Sequence, residues 1–249
     1  MRTILMAVML AVFAPQAQAA EIHVWCPALV HEAMQDFATD FMHETGTKVT
    51  VISGPMGKMV DAIQTAGPPP DVVILPPDLM DSLAQQGGVK TGTRMPLARV
   101  EIGLAVAASA AKPDISSVER LQTALSAAKA VTYTKPGPPR FSMEAQMIDD
   151  LLKRPGFSGV HASPAPSGSG VGFLAAGNAD IALQVVPEIL ATKGITLVGP
   201  LPPALGMHID VAASVFAHSA DASDASAFIA FITRPEAQRV WASQGITRR

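Results

Sequence analysis

The sequence has a single cysteine, Cys26, which excludes any disulfide within the chain. Aromatic residues make up only 5% of it and charged residues only 16%, and neither sign dominates. Eighteen Lys and Arg stand against 21 Asp and Glu, for a net charge of −3. Without a basic surplus or a basic cluster, nucleic acid and anionic membranes are excluded as partners. Past the N-terminal leader, no apolar run approaches the roughly 20 residues that a bilayer span requires. The six histidines (His23, His31, His43, His161, His208 and His218) are scattered, with no i, i+4 helical pair and no His-rich loop. No metal and no cofactor are therefore expected.

What is present is apolar: 49% of the residues are hydrophobic, enough for a substantial core without disulfide support. Met1 to Ala19 reads as a secretory signal peptide, with Arg2 as the positive region, Ile4 to Phe13 as the apolar run and Ala17-Gln18-Ala19 as the cleavage site. Cleavage there starts the mature chain at Ala20, removes Arg2 and no acid, and takes the net charge from −3 to −4. The leader sends the chain to an oxidising compartment.

The mature sequence alternates short β-rich runs with helical patterns, as α/β proteins do. Strands are predicted at Ile22–Trp25, Lys48–Ile52, Asp71–Leu75, Val100–Ala107, Ala130–Tyr133, Asp180–Gln184, Thr196–Val198 and Ile209–Val215. A helix over about Ala28–Glu44 carries the apolar stripe Leu29, Ala33, Phe37 and Phe41 and stops at Gly46. Further helices are predicted around Met59 to Ile63, at Asp78–Gln86, from the capping box Ser116-x-x-Glu119, at Ser142–Lys153 and from Pro187. Two more, near Asp221–Ile232 and Pro235–Gln244, close the chain, and Pro164–Gly172 reads as a loop.

Two matched loops locate a binding cleft. Trp25-Cys26-Pro27-Ala28 and Ser53-Gly54-Pro55-Met56-Gly57-Lys58 each follow a strand and precede a helix. Ligands of open α/β sheets sit outside the carboxyl ends of strands, where helix N-termini offer free N–H groups. Gly54 and Gly57 allow a ligand close to the backbone. Arg140 in a Pro-rich loop is placed to clamp an anion, or is a solvated surface residue. Gln184 ends a strand facing the cleft, while Glu188 serves the first turn of the next helix. Gly168-Ser169-Gly170-Val171-Gly172 lacks the Walker Lys and the dinucleotide pattern, so it reads as a connector. A secreted hydrolase built on Ser169 or Cys26 would need a His within hydrogen-bond reach and an oriented third partner.

At these residues the chain resembles the periplasmic molybdate-binding proteins of ABC transporters, as a divergent branch of the type II periplasmic binding protein superfamily. The likeness runs through Thr45-Gly46-x-Lys48-Val49, Asp71-Val72-Val73-Ile74-Leu75 and Pro96-Leu97-Ala98-Arg99. It continues through Gly177-Asn178-Ala179-Asp180-Ile181 and Val198-Gly199-Pro200-Leu201-Pro202 to Phe228-Ile229-x-Phe231.

The resemblance implies a two-lobed α/β protein, each lobe a mostly parallel sheet flanked by helices, with the ligand cleft between. Residues 20–99 and 206–249 would form one lobe and 100–205 the other. Its implied work is capture of a small anion by hinge closure and delivery to a membrane permease, or to a sensor kinase, by a monomer that catalyses nothing. Cys26, Ala28, Leu29, Gly54, Met56, Gly57, Thr134, Arg140, Gln184 and Val185 are the implied ligand-binding set. The family's three hydroxyl ligands fall on Leu29, Met56 and Val185, and Pro27 and Pro55 remove N–H groups nearby. Each unmet polar contact to a desolvated anion costs about 1–3 kcal/mol, so a small organic acid suits this cup better than a bare oxyanion.

Overall fold

The computed structural model describes residues 20–54, 59, 63, 69–137 and 142–248. The leader expected over residues 1–19 lies outside them, as does most of the helix expected after the second strand. The first half opens with β1 (Glu21–Pro27), a 3-10 turn (Ala28–Val30), α1 (His31–Thr45) and β2 (Lys48–Gly54). It continues through β3 (Val72–Leu75) and α2 (Pro77–Gln85) into the long strand β4 (Met95–Ala107). The second half holds α3 (Val118–Ala127), β5 (Val131–Tyr133), α4 (Met143–Leu152), β6 (Ala162–Pro164) and α5 (Gly170–Ala175). After these come β7 (Ile181–Val185), α6 (Val186–Ala191) and β8 (Ile195–Pro200). The chain closes with β9 (His208–Val215), α7 (Ala222–Thr233), α8 (Gln238–Ser243) and β10 (Thr247–Arg248).

Two parallel triplets sit at opposite ends of the strand order, β2-β1-β3 and β7-β5-β6, joined through antiparallel β9 and β4. At about 3.3 Å per residue, the 13 residues of β4 reach about 43 Å, far enough to serve both sheets. Its first half pairs with β9 and β10, its second half with β7 and β8. The architecture is two-lobed α/β. The chain touches β4 again near its middle, where Leu201 N–H donates to the Ile102 carbonyl (2.9 Å) and Ile102 N–H to that of Met207 (3.0 Å).

Local chemistry explains the elements that sequence predicts. Ala33, Met34, Phe37, Ala38 and Phe41 form the buried stripe of α1. Gly46 ends it in the left-handed region (φ 80°), with its N–H on the Met42 carbonyl at 2.9 Å. All four residues of β3 are buried, as a strand covered on both faces must be. Beside it, buried Asp71 accepts hydrogen bonds from His23 N–H (2.9 Å), the Ser219 hydroxyl (2.7 Å) and Asp221 N–H (3.4 Å), tying three segments together.

Other expectations are corrected. β4 begins at Met95, not Val100. Its added residues pair with β9, Arg99 opposite Asp210 in a bidentate ion pair (2.8 and 2.9 Å), and a register shift between Pro96 and Ala98 accommodates the proline. The cap of α3 is Ser117 rather than Ser116, because the Asp114 carboxylate already holds Ser116 N–H at 2.9 Å. The expected loop Pro164–Gly172 ends in helix, since α5 starts at Gly170 with Ser169 as its cap. Pro235–Ala237 is a 3-10 turn before the shorter α8, and β6 and β10 add two short strands that the sequence pattern does not predict.

Candidate functional site

The register of β1 and β2 puts Pro27 opposite Gly54, so the two loops that follow leave the sheet side by side. From there the 3-10 turn and α1 form one wall of a cavity of about 280 Å³ with Ala28, Leu29, His31, Glu32 and Ala33, and Ser53 at the end of β2 adds to it. The opposite wall is α6, through Pro187, Glu188 and Ala191, and Gln244 and Ile246 close the third side. The cavity thus lies between elements of the two halves. Its wall is mostly apolar, with two carboxylates, one imidazole and no Lys or Arg among its lining residues.

A second group of expected residues gathers at the ends of β5 and β7. Thr134 Oγ1 accepts a hydrogen bond from Gln184 Nε2 (2.9 Å) and another from Gly170 N–H at the start of α5 (3.2 Å). Gln184 Oε1 in turn accepts from Val185 N–H (2.9 Å). All four residues are buried. Contact of this closeness needs glycine at position 170, because a Cβ there would lie 2.6 Å from Tyr133 Cα. One residue earlier, the Tyr133 hydroxyl donates to Asp149 (2.7 Å), and burial with that hydrogen bond pushes its phenol pKa well up.

Of the expected set, Ala28 and Leu29 meet in the cavity, and Thr134, Gln184 and Val185 meet in the polar knot. Gly54 lies at the end of β2 beside Pro27. Met56, Gly57 and Arg140 lie outside the described residues. Gln184, expected to face the cleft, turns its amide onto Thr134 and Val185 instead, while Glu188 both opens α6 and lines the cavity. Ser53 opens the second of the two loops that the sequence marks, though it is outside the implied ligand-binding set, whereas His31, Glu32, Gln244 and Ile246 are not marked by the sequence. Gln244 and Ile246 carry no local signal, since only tertiary packing brings them to Leu29.

The side chain of Cys26 is wholly buried among core residues, and desolvation pushes its thiol up to about 12. At neutral pH it is a protonated thiol sheltered in the core. Native protein is expected to leave a thiol reagent such as dithionitrobenzoate unreacted, whereas denatured protein releases one equivalent. Rapid labelling of the native chain would contradict this burial. Ser169 Oγ accepts from Gly172 N–H as a helix cap. Among the described residues no His is hydrogen-bonded to Ser169 or Cys26, and no group of three or more His, Cys, Asp or Glu is placed to hold a metal. No described helix is long and apolar enough to cross a membrane.

The family model described as bacterial extracellular solute-binding protein matches residues 22–247. An aconitate isomerase from a Pseudomonas sp is 28% identical over 174 residues, which are 68% of this chain and 65% of that protein's length. The substrate-binding domain assigned to a molybdenum ABC transporter from Clostridium difficile superposes with a TM-score of 0.75 at 18% identity, covering 93% of this chain and 100% of that one. The periplasmic molybdate-binding protein of Azotobacter vinelandii gives a TM-score of 0.69 at 19% identity, covering 91% and 98%. At these identities the structures establish a shared fold.

Proposed function

Because the chain belongs to the bacterial extracellular solute-binding protein family, we propose that it captures a small organic acid in the periplasm and delivers it to the permease of an ABC-type transporter. The observation that carries this reading is the cavity walled by Ala28, Leu29 and Ser53 on one side and by α6 on the other. A ligand there touches both halves and draws them together, the hinge closure such proteins use. We assign residues 20–99 and 206–249 to one lobe and 100–205 to the other. The middle of β4 and the segment 201–207 hydrogen-bonded to it supply the hinge.

The apolar walls select against a bare oxyanion. The side chains of Leu29, Ala33, Pro187 and Ile246 offer no hydrogen bond, and an anion with no carbon skeleton would be stripped of water beside them. A carboxylate on an apolar body packs its carbons there and keeps its charge for donors at the strand ends. Thr134, with backbone N–H groups at Leu29, Met56 and Gly57 and the Arg140 side chain, makes up the proposed donor set. Cys26, Gly54, Gln184 and Val185 shape and support it.

A thermal-shift screen of the mature protein against trans-aconitate, tricarballylate, succinate, molybdate and sulfate tests this. A ligand at 100 times its dissociation constant adds about 2.7 kcal/mol of stability. Stabilisation by the carboxylates alone is expected. Sub-micromolar molybdate binding by calorimetry would overturn the choice of an organic acid.

The isomerase among the relatives favours a second reading. Moving a double bond along a bound unsaturated acid needs a base that removes an allylic proton and an acid that returns one at the other end. Glu32 and Glu188 bring carboxylates to the cavity wall. Conversion of trans- to cis-aconitate by purified protein would establish it, and loss of that conversion in Glu188→Gln with binding retained would place the base.

A further inference from the structure

We infer that Gly245 is the stop on which the two lobes close: its bare backbone lets α6 come down against the C-terminal turn, and that contact sets the width of the cavity. This rests on the lobes and the hinge closure proposed above and is independent of which ligand is bound. Gly245 turns the chain from α8 into β10, with a φ of 67° and its N–H on the Ala242 carbonyl at 3.0 Å. Its two chain neighbours, Gln244 and Ile246, line the cavity, and α6 supplies another of its walls. A Cβ at position 245 would lie 2.5 Å from Val186 Cγ1 and 2.8 Å from Leu190 Cδ1, both on α6. No side chain fits there. The first lobe therefore bears directly on the second at the cavity's edge.

Val186 carries the contact. Leu190 ends in a flexible side chain that is 49% exposed, so its methyl can swing out into water. Val186 is buried and β-branched, with few χ1 alternatives. Behind it stands Gly103 of β4, where a Cβ would come within 3.1 Å of Val186 Cγ2. Gly103 follows Ile102, the residue that holds the segment 201–207 to β4. The valine is thus clasped between two glycines, one of its own lobe beside the hinge and one of the opposite lobe. A methyl at position 245 leaves it no room to turn aside. Ordinary contact begins at 3.4 Å, so α6 as a whole must back away by roughly 1 Å in a close-packed interior. Because Gly245 stands at the cavity's edge, that retreat parts the walls.

Double electron–electron resonance on the mature protein tests the inference without a ligand. Spin labels go on exposed positions of the two lobes, Asp40→Cys on α1 and Ser126→Cys on α3, while buried Cys26 stays unlabelled. Gly245→Ala should lengthen the mean distance by about 2 Å or more, since a hinge magnifies a small shift at its pivot. Gly87→Ala controls for backbone strain, because φ there is 73° and a Cβ meets nothing within 4 Å. It should lose stability and keep the parent distance. Combining Gly245→Ala with Val186→Ala removes the clashing methyl and should restore the parent distance, although the strain at position 245 remains. If Gly245→Ala fails to fold, Gly245→Asn serves, carrying the same Cβ on a residue that tolerates left-handed backbone.

A parent-like distance in the position 245 variant overturns the inference. So does a lengthening that Val186→Ala fails to reverse, or one that Gly87→Ala reproduces. The closure reading fails separately. A parent distance that trans-aconitate, tricarballylate, succinate, molybdate and sulfate all leave unchanged at saturating concentration overturns ligand-driven closure, whatever the variants do.

Discussion

Replacing Trp241 by alanine is expected to lower the free energy of unfolding by about 3–5 kcal/mol, the range for truncating a large buried aromatic. Trp241 has no exposed surface, and its Nε1 donates to the Ile232 carbonyl at 3.0 Å. Its ring stands 5.0 Å from that of Phe37, which in turn meets Phe231 edge-on at 6.4 Å. Phe41 meets Phe228 at 5.3 Å and Phe231 at 5.2 Å, both near perpendicular. With only nine Phe and two Trp in the whole chain, four Phe and one Trp are concentrated here. They join α1, near the start, to α7 and α8, near the end, in a protein with no disulfide to do so. Alanine would leave both a cavity and an unpaired Ile232 carbonyl, and the two costs fall on one site. Urea unfolding followed by circular dichroism measures the change. Trp241→Phe should lose distinctly less, because the ring contact with Phe37 survives while the hydrogen bond does not. A loss under about 1 kcal/mol for the alanine variant would mean the cluster collapses onto the gap, contrary to the tight ring geometry.

The first half of the fold is legible because its signals are local. The stripe from Ala33 to Phe41, the stop at Gly46 and the fully apolar Val72–Leu75 each declare themselves within a few residues. β6 and β10 do not, having three and two residues and existing because β5 and β4 offer them free edges. The cap falls at Ser117, one position past the Ser116 pattern, because two neighbouring serines compete and a side chain outside the pattern, Asp114, decides. At the candidate site, Ala28 and Leu29 follow from their place after a strand, whatever the ligand. Gln244 and Ile246 reach the same cavity from the far end of the chain, which no local pattern reports. Gln184 shows a different limit. Sequence places it at a strand end, but whether its amide faces a ligand or folds back onto Val185 N–H depends on what already fills the space, here Thr134.

Gly170→Ala and Gly172→Ala, two substitutions of one chemistry in one short helix, are expected to have opposite effects. At position 170 the new methyl would stand 2.6 Å from Tyr133 Cα, 2.7 Å from its carbonyl carbon and 3.0 Å from its nitrogen. These are backbone atoms, so no rotamer relieves the clash. Ordinary contact begins at 3.4 Å, so α5 must retreat by roughly 1 Å, in an interior that tolerates little displacement. That retreat stretches the 3.2 Å bond from Gly170 N–H to Thr134 and loosens Val171 and Leu174 from their cluster. Overpacking of this kind costs about 1–3 kcal/mol, and a weakened buried hydrogen bond adds to it. At position 172 the nearest atom outside the helix backbone is Ser169 Oγ at 3.4 Å, an ordinary contact. Alanine there should be neutral or stabilising by up to about 1 kcal/mol, because it restricts the unfolded chain and suits a helix. Chemical denaturation of both variants reads the stability difference, and calorimetry with a carboxylate that binds the parent reads its consequence for capture. Gly170→Ala should lose affinity because Thr134, in the proposed donor set, loses a hydrogen bond that holds it in place, while Gly172→Ala keeps it. Equal stability and equal affinity in the two variants would show that α5 rides loosely on β5, and that the contact at Tyr133 positions nothing.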